Sequence, residues 1–162
     1  MCYNDYDRII VYSINILTAK GSAVMTFDEV LAQMGVNPEA HEWIFALKQI
    51  YVNLNIDKDK LECIGGQQCR FAQKSIRGSG IISERDGYVI GTKGGLLIIC
   101  PAINDMPITI MLDRKQIRIV EAESKLLKAA VIVKTNDELF EFKVPKKQLS
   151  AAEKLINKVR NA

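Results

Sequence analysis

The chain has 162 residues, 48% of them apolar and 25% charged, with a formal net charge of +3. That length suits one ordinary domain, or two small units sharing a core, and the composition excludes disorder, collagen and a disulfide scaffold. The charge is too small to require a nucleic acid, and it hides a split: three cations against six anions over residues 1–55, fourteen against ten over 79–162.

The first apolar stretch, Ile9 to Leu17, follows Asp5 and Asp7 and is broken by Ser13 and Asn15. A secretory signal needs a positive start and a cleaner run, and no window reaches the length of a membrane span, so the expected location is the cytoplasm. The spacing of Ile9, Ile10, Ser13, Ile14 and Leu17 is that of a helical face over 6–20, while the run of β-branched residues leaves a strand as the alternative; Gly21 ends either one. Thr26 and Glu29 then read as a capping box, with Met25 and Val30 as its hydrophobic staple and Gly35 as a left-handed exit. Asn37-Pro38 reads as the cap and first turn of a longer helix running to about residue 53. On it Ala40, Trp43, Ile44, Leu47, Tyr51 and Leu54 share one face, while Glu39, Glu42, Lys48 and Gln49 point away.

After Asn55 the chain becomes polar and dotted with glycine, and residues 56–80 read as a connector with one or two edge strands. From Gly80 the period is two. Strands are expected at 81–84, 88–91, 96–100, 108–112, 117–121, 130–135 and 139–144. Arg85-Asp86-Gly87, Lys93-Gly94-Gly95, Asn104-Asp105 and Asn136-Asp137 supply the turns, the last giving the clearest hairpin. Pro145 ends the final strand. Ser150 and Glu153 read as a second capping box, opening a helix with Leu149, Ala152, Ile156 and Val159 as its buried stripe.

Catalytic chemistry finds little to work with. His41 is the sole histidine and sits beside Glu42 on a polar helix flank. Glu138 and Glu141 fall on opposite faces of one strand, so they form no carboxylate pair. Gly78-Ser-Gly80 and Gly91-Thr-Lys-Gly-Gly95 lack the lysine and helix of a phosphate loop and read as turn glycines. Cys63 and Cys69 are spaced C-x5-C, without the second close pair a zinc site requires, and free thiols are expected. No catalytic residue, metal, cofactor or small-molecule substrate is expected.

Two resemblances organise these elements. Ile108-Thr-Ile110, Gln116-Ile-Arg-Ile-Val120, Val131-Ile-Val133, Glu138-Leu-Phe-Glu-Phe142 and the helix Leu149–Val159 resemble the pleckstrin-homology superfold, including its GRAM-like relatives. The resemblance covers about half the chain and implies a bent antiparallel β-sandwich or barrel plugged by its C-terminal helix. Thr26-Phe-Asp-Glu-Val-Leu-Ala-Gln-Met-Gly35 is similar to the second helix and turn of winged-helix regulators, some of which carry a zinc ribbon where Cys63 and Cys69 fall.

The resulting expectation is an α+β chain. Residues 1–60 form a winged-helix-like helical unit, 61–79 a connector, and 80–162 a pleckstrin-homology-like β domain with a C-terminal helix. The expected function is a non-catalytic binding or adaptor module for a protein partner or an anionic membrane surface, with Arg70, Lys74, Arg77, Arg85 and Lys93 as the partner- or anion-binding residues. The charge split suggests self-association as a homodimer. The alternative is a winged-helix, DNA-binding transcription regulator. Glu39 and Glu42 oppose it, because they place two carboxylates where a recognition helix would meet phosphate.

Overall fold

The computed structural model describes residues 24–102 and 105–162. The helix or strand expected over 6–20, Cys2 and Asn104 lie outside the described residues. The capping box forms as the sequence dictates: Thr26 Oγ1 accepts from Glu29 N at 3.2 Å, and Thr26 N donates to Glu29 Oε2 at 2.7 Å. It opens α1 (Phe27–Gln33), whose Phe27, Val30 and Leu31 are buried, and Gly35 leaves at φ +70°. The next helix, α2 (His41–Leu54), has Ala40 as its N-cap and so starts three residues later than an Asn37 cap would place it. Asn37 Oδ1 instead accepts from Glu39 N at 3.0 Å, so the Asn-Pro pair builds a turn ahead of the helix. Only Trp43, Ala46 and Ile50 of α2 are buried, whereas Ile44 and Tyr51, expected on the same face, are exposed.

The larger departure is residues 56–80. They contain β1 (Cys63–Ser75), a strand of 13 residues at the centre of the sheet rather than a connector with edge strands. It is followed by β2 (Gly80–Thr92), β3 (Gly95–Cys100), β4 (Ile108–Asp113), β5 (Ile119–Ser124), β6 (Ala129–Lys134) and β7 (Glu138–Lys143). The expected strands at 81–84 and 88–91 are one: Arg85, Asp86 and Gly87 do not turn but pair with Phe71, Arg70 and Cys69 of β1. Gly87 suits this place because a Cβ there would lie 2.8 Å from Cys100 Sγ and 2.9 Å from the Ile99 carbonyl. The other expected strands form within one residue at each end, except that the one expected at 117–121 is shifted to Ile119–Ser124 behind a 3-10 turn at Arg114–Gln116. The turn at 93–94 and the hairpin at 136–137 both form.

All seven strands join one antiparallel sheet in the order β4-β3-β2-β1-β7-β6-β5. Its two faces bury different cores. One core combines Phe71, Val89, Leu96, Ile98 and Leu112 with Val131, Val133, Phe140 and Phe142 from the other half of the sheet. That core is covered by α3 (Leu149–Arg160) through Ala152, Ile156 and Val159. The second core lies on the opposite face, where α1 and α2 set Phe27, Leu31, Trp43 and Ile50 against Ile90, Leu97 and Ile99. Every residue of β3 is therefore buried, which explains its unbroken apolar run. The α3 stripe is as expected, but the Ser150–Glu153 box is not: a 3-10 turn, Lys146–Gln148, leads into the helix, and its N-cap is Gln148 with no side-chain cap. Among the described residues no helix is long and apolar enough to cross a membrane.

Candidate functional site

The five cations expected to bind a partner do not gather at one loop mouth. Lys93 sits at the β2–β3 turn, its backbone N bonded to Glu62 O and its Nζ 2.9 Å from Glu62 Oε2. Lys74 and Arg77 lie at the far end of β1, on the order of 35 Å away for a strand of that length. Arg85 is half-buried, with Nη1 donating to the Met106 carbonyl at 3.0 Å and Nη2 3.9 Å from Asp105. Arg70 lies midway along β1, 3.1 Å from Glu84 and 3.3 Å from Asp86. Of the five, Arg77 is exposed and makes no ion pair with a described residue.

Two of the five belong to an ion-pair belt that sequence reasoning missed. β1, β2 and β7 align it across the sheet face that α1 and α2 leave uncovered. Glu141 on β7 is its centre, buried opposite Ala72. Lys128 Nζ lies 2.6 Å from one of its oxygens and Lys74 Nζ 3.6 Å from the other. Beside it Lys143 bonds Glu84, which also holds Arg70. Burial alone raises the pKa of Glu141, but Lys128, Lys143 and Lys74 outweigh it and hold the carboxyl below its ordinary range. Lys143 and Arg70 lower Glu84 likewise. The belt satisfies its own charges, so it presents an anionic ligand with few free cations. The signal for it in the sequence was only the alternation of Arg70 with Lys74 on one strand and of Glu141 with Lys143 on another, because the strand pairing brings these together with Lys128 from the end of the β5–β6 loop.

The thiols are equally closed off. Cys63 belongs to the core under α1 and α2, whereas Cys69 and Cys100 belong to the core under α3, so C-x5-C does not place two thiols on one site. Burial pushes the Cys63 and Cys100 thiols up to about 11 and raises Cys69 too, which disfavours thiolate chemistry at neutral pH. Among the described residues no three His, Cys, Asp or Glu side chains converge as metal ligands. His41 stands exposed at the start of α2, its ring edge-on to Phe45 at 6.0 Å.

What the structure does assemble is an apolar groove. α2 turns Phe45 and Val52 outward, 52% and 73% exposed, while Trp43, Ala46 and Ile50 hold its other side on the sheet. The β3–β4 loop brings Met106 and Pro107 alongside. Together they line a groove of about 630 Å³, to which Lys48 and Asp105 contribute the charged groups. Phe45 and Val52 are a helical i, i+7 pair, a spacing visible in the sequence; Met106 is adjacent only through the tertiary fold. Compared with known proteins, the chain matches no family model and no curated sequence.

Proposed function

We propose that the chain is a non-catalytic binding module of pleckstrin-homology-like plan that docks a protein partner in the groove between α2 and the β3–β4 loop. The strand order supports that plan. β4 and β5 end the sheet without pairing to each other, residues from both halves meet in one core as in a bent sandwich, and a C-terminal helix covers it. The single observation that carries the function is the apolar lining of the groove by Phe45, Val52, Met106 and Pro107. An exposed, mainly apolar groove that combines an aromatic and a methionine side chain with a few polar and charged ones has the make-up of a protein interface. A second copy of the chain is one such partner, as the acidic 1–55 segment and basic 79–162 segment suggest. The transcription-regulator alternative gains little from α2, whose exposed side chains are mostly apolar (Ile44, Phe45, Tyr51 and Val52), with Lys48 as its single lysine.

The test is a photo-crosslinking residue at position 49, on the groove wall, in a wild-type background and in a Phe45→Asp, Val52→Asp background. Both changes are at exposed sites, so the melt should move little. The expected result is a discrete crosslinked species, or a dimer, that disappears in the double variant. Crosslinks unchanged by the two aspartates would sink the reading. Steeply salt-sensitive retardation of random duplex DNA would transfer support to the regulator alternative.

A further inference from the structure

The β5–β6 hairpin carries a feature that neither folding nor the groove explains. Its two-residue loop is closed by Lys125 N donating to the Lys128 carbonyl at 2.7 Å. The tip residues are Leu126 and Leu127, 87% and 95% exposed. Burial does not account for two leucines there. Turn chemistry does not select them either: neither leucine has a positive φ, so the loop calls for no particular residue type. Two large apolar side chains left in solvent with no structural gain point to a functional demand.

The charges around the tip indicate what meets it. Lys146 Nζ donates to the Leu126 carbonyl at 2.6 Å, which holds the Lys146–Gln148 turn against the loop. Lys125, Lys146 and Lys147 make no ion pair with a described residue, whereas Lys128 is taken by Glu141. Glu123 on β5 is the carboxylate closest in sequence to the tip. Both side chains stand almost wholly in solvent, so they suit a partner they can sink into.

We propose that Leu126 and Leu127 insert into the acyl boundary of an anionic lipid bilayer, with Lys125, Lys146 and Lys147 at headgroup level. Neither two leucines nor three lysines bind a bilayer firmly alone; apolar insertion and headgroup attraction reinforce each other. The groove on α2 involves other residues, so this contact stands or falls without it.

The experiment is co-sedimentation of the full chain with phosphatidylcholine vesicles, plain or containing about a third phosphatidylserine. Wild type should pellet with the anionic vesicles and much less with plain ones. Leu126→Ser with Leu127→Ser should weaken partition about tenfold or more. Lys125→Glu with Lys147→Glu should abolish the preference for phosphatidylserine. Thermal melts of both variants should match wild type, since the changed side chains are exposed. Wild type remaining in the supernatant, or the serine variant pelleting as well as wild type, would overturn the proposal. So would sedimentation velocity showing that the leucines join two copies of the chain while vesicles are ignored.

Discussion

Ile156 lies at the middle of the α3 stripe with no solvent exposure, in the core that joins the two halves of the sheet. Replacing it with alanine removes three carbons where neighbours cannot fully collapse, a change that costs about 2–5 kcal/mol. For a domain of this size each kcal/mol moves the melting midpoint by about 2–4 °C, so a loss near 3 kcal/mol lowers it by about 6–12 °C. Urea denaturation should show a lower midpoint with an unchanged slope. Removing residues 149–162 altogether also strips Val159, Ala152 and the half-buried Leu149 from the core. At about 1.5–3 kcal/mol for each fully buried large side chain, that loss approaches the whole stability of a typical domain, about 5–15 kcal/mol. The truncated chain should therefore lose its cooperative transition. A midpoint shift under about 3 °C for Ile156→Ala, or a truncated chain that melts like the intact one, would refute the role of α3 as the cover of the sheet.

Three further outcomes follow from particular contacts. Glu141 and Glu84 have folded-state pKa values below their ordinary ones, so the stability they contribute is present above the ordinary carboxylate range and is lost as pH falls through their lowered values; Glu141→Gln should reduce the acid dependence of the urea midpoint below about pH 4.5. Because Lys74 and Lys128 are half exposed and can hydrate, the variant should cost about 1–2 kcal/mol at neutral pH, less than breaking a fully buried pair. Gly95→Ala would place a Cβ 2.0 Å from the Leu112 carbonyl oxygen, a backbone atom of the paired strand, so denaturation should show a loss of about 3 kcal/mol or more. Cys63, Cys69 and Cys100 should stay unlabelled by maleimide in the native protein at neutral pH and label fully in guanidinium, as peptide mapping would show.

Where structure depends on neighbours in sequence, it could be read from the residues alone. The Thr26–Glu29 box, the left-handed Gly35, the Asn136-Asp137 hairpin and the Ala152–Ile156–Val159 stripe all rest on contacts a few residues apart. The groove was half legible: Phe45 and Val52 share a helix face, but a helix seen alone does not reveal that only Trp43, Ala46 and Ile50 meet the sheet. Ser150 and Glu153 have the spacing of a cap, yet the 3-10 turn at Lys146–Gln148 starts the helix a turn earlier and leaves them inside it.

Only the tertiary structure decided what β1 is. Its polar, glycine-dotted sequence looks like a connector because its reasons lie elsewhere in the chain: Gly66 makes room for Val30 and Met34 of the α1 segment, and Gly65, like Gly91 of β2, makes room for Leu155 of α3. Its hydrogen bonds go to β2 on one edge and β7 on the other, partners that are chosen by packing and not by local propensity. The same holds for charge. An acidic first third and a basic remainder were visible in the composition, but cross-strand pairing decided which lysines are neutralised by Glu84 and Glu141 and which, beside Leu126 and Leu127, make no ion pair among the described residues.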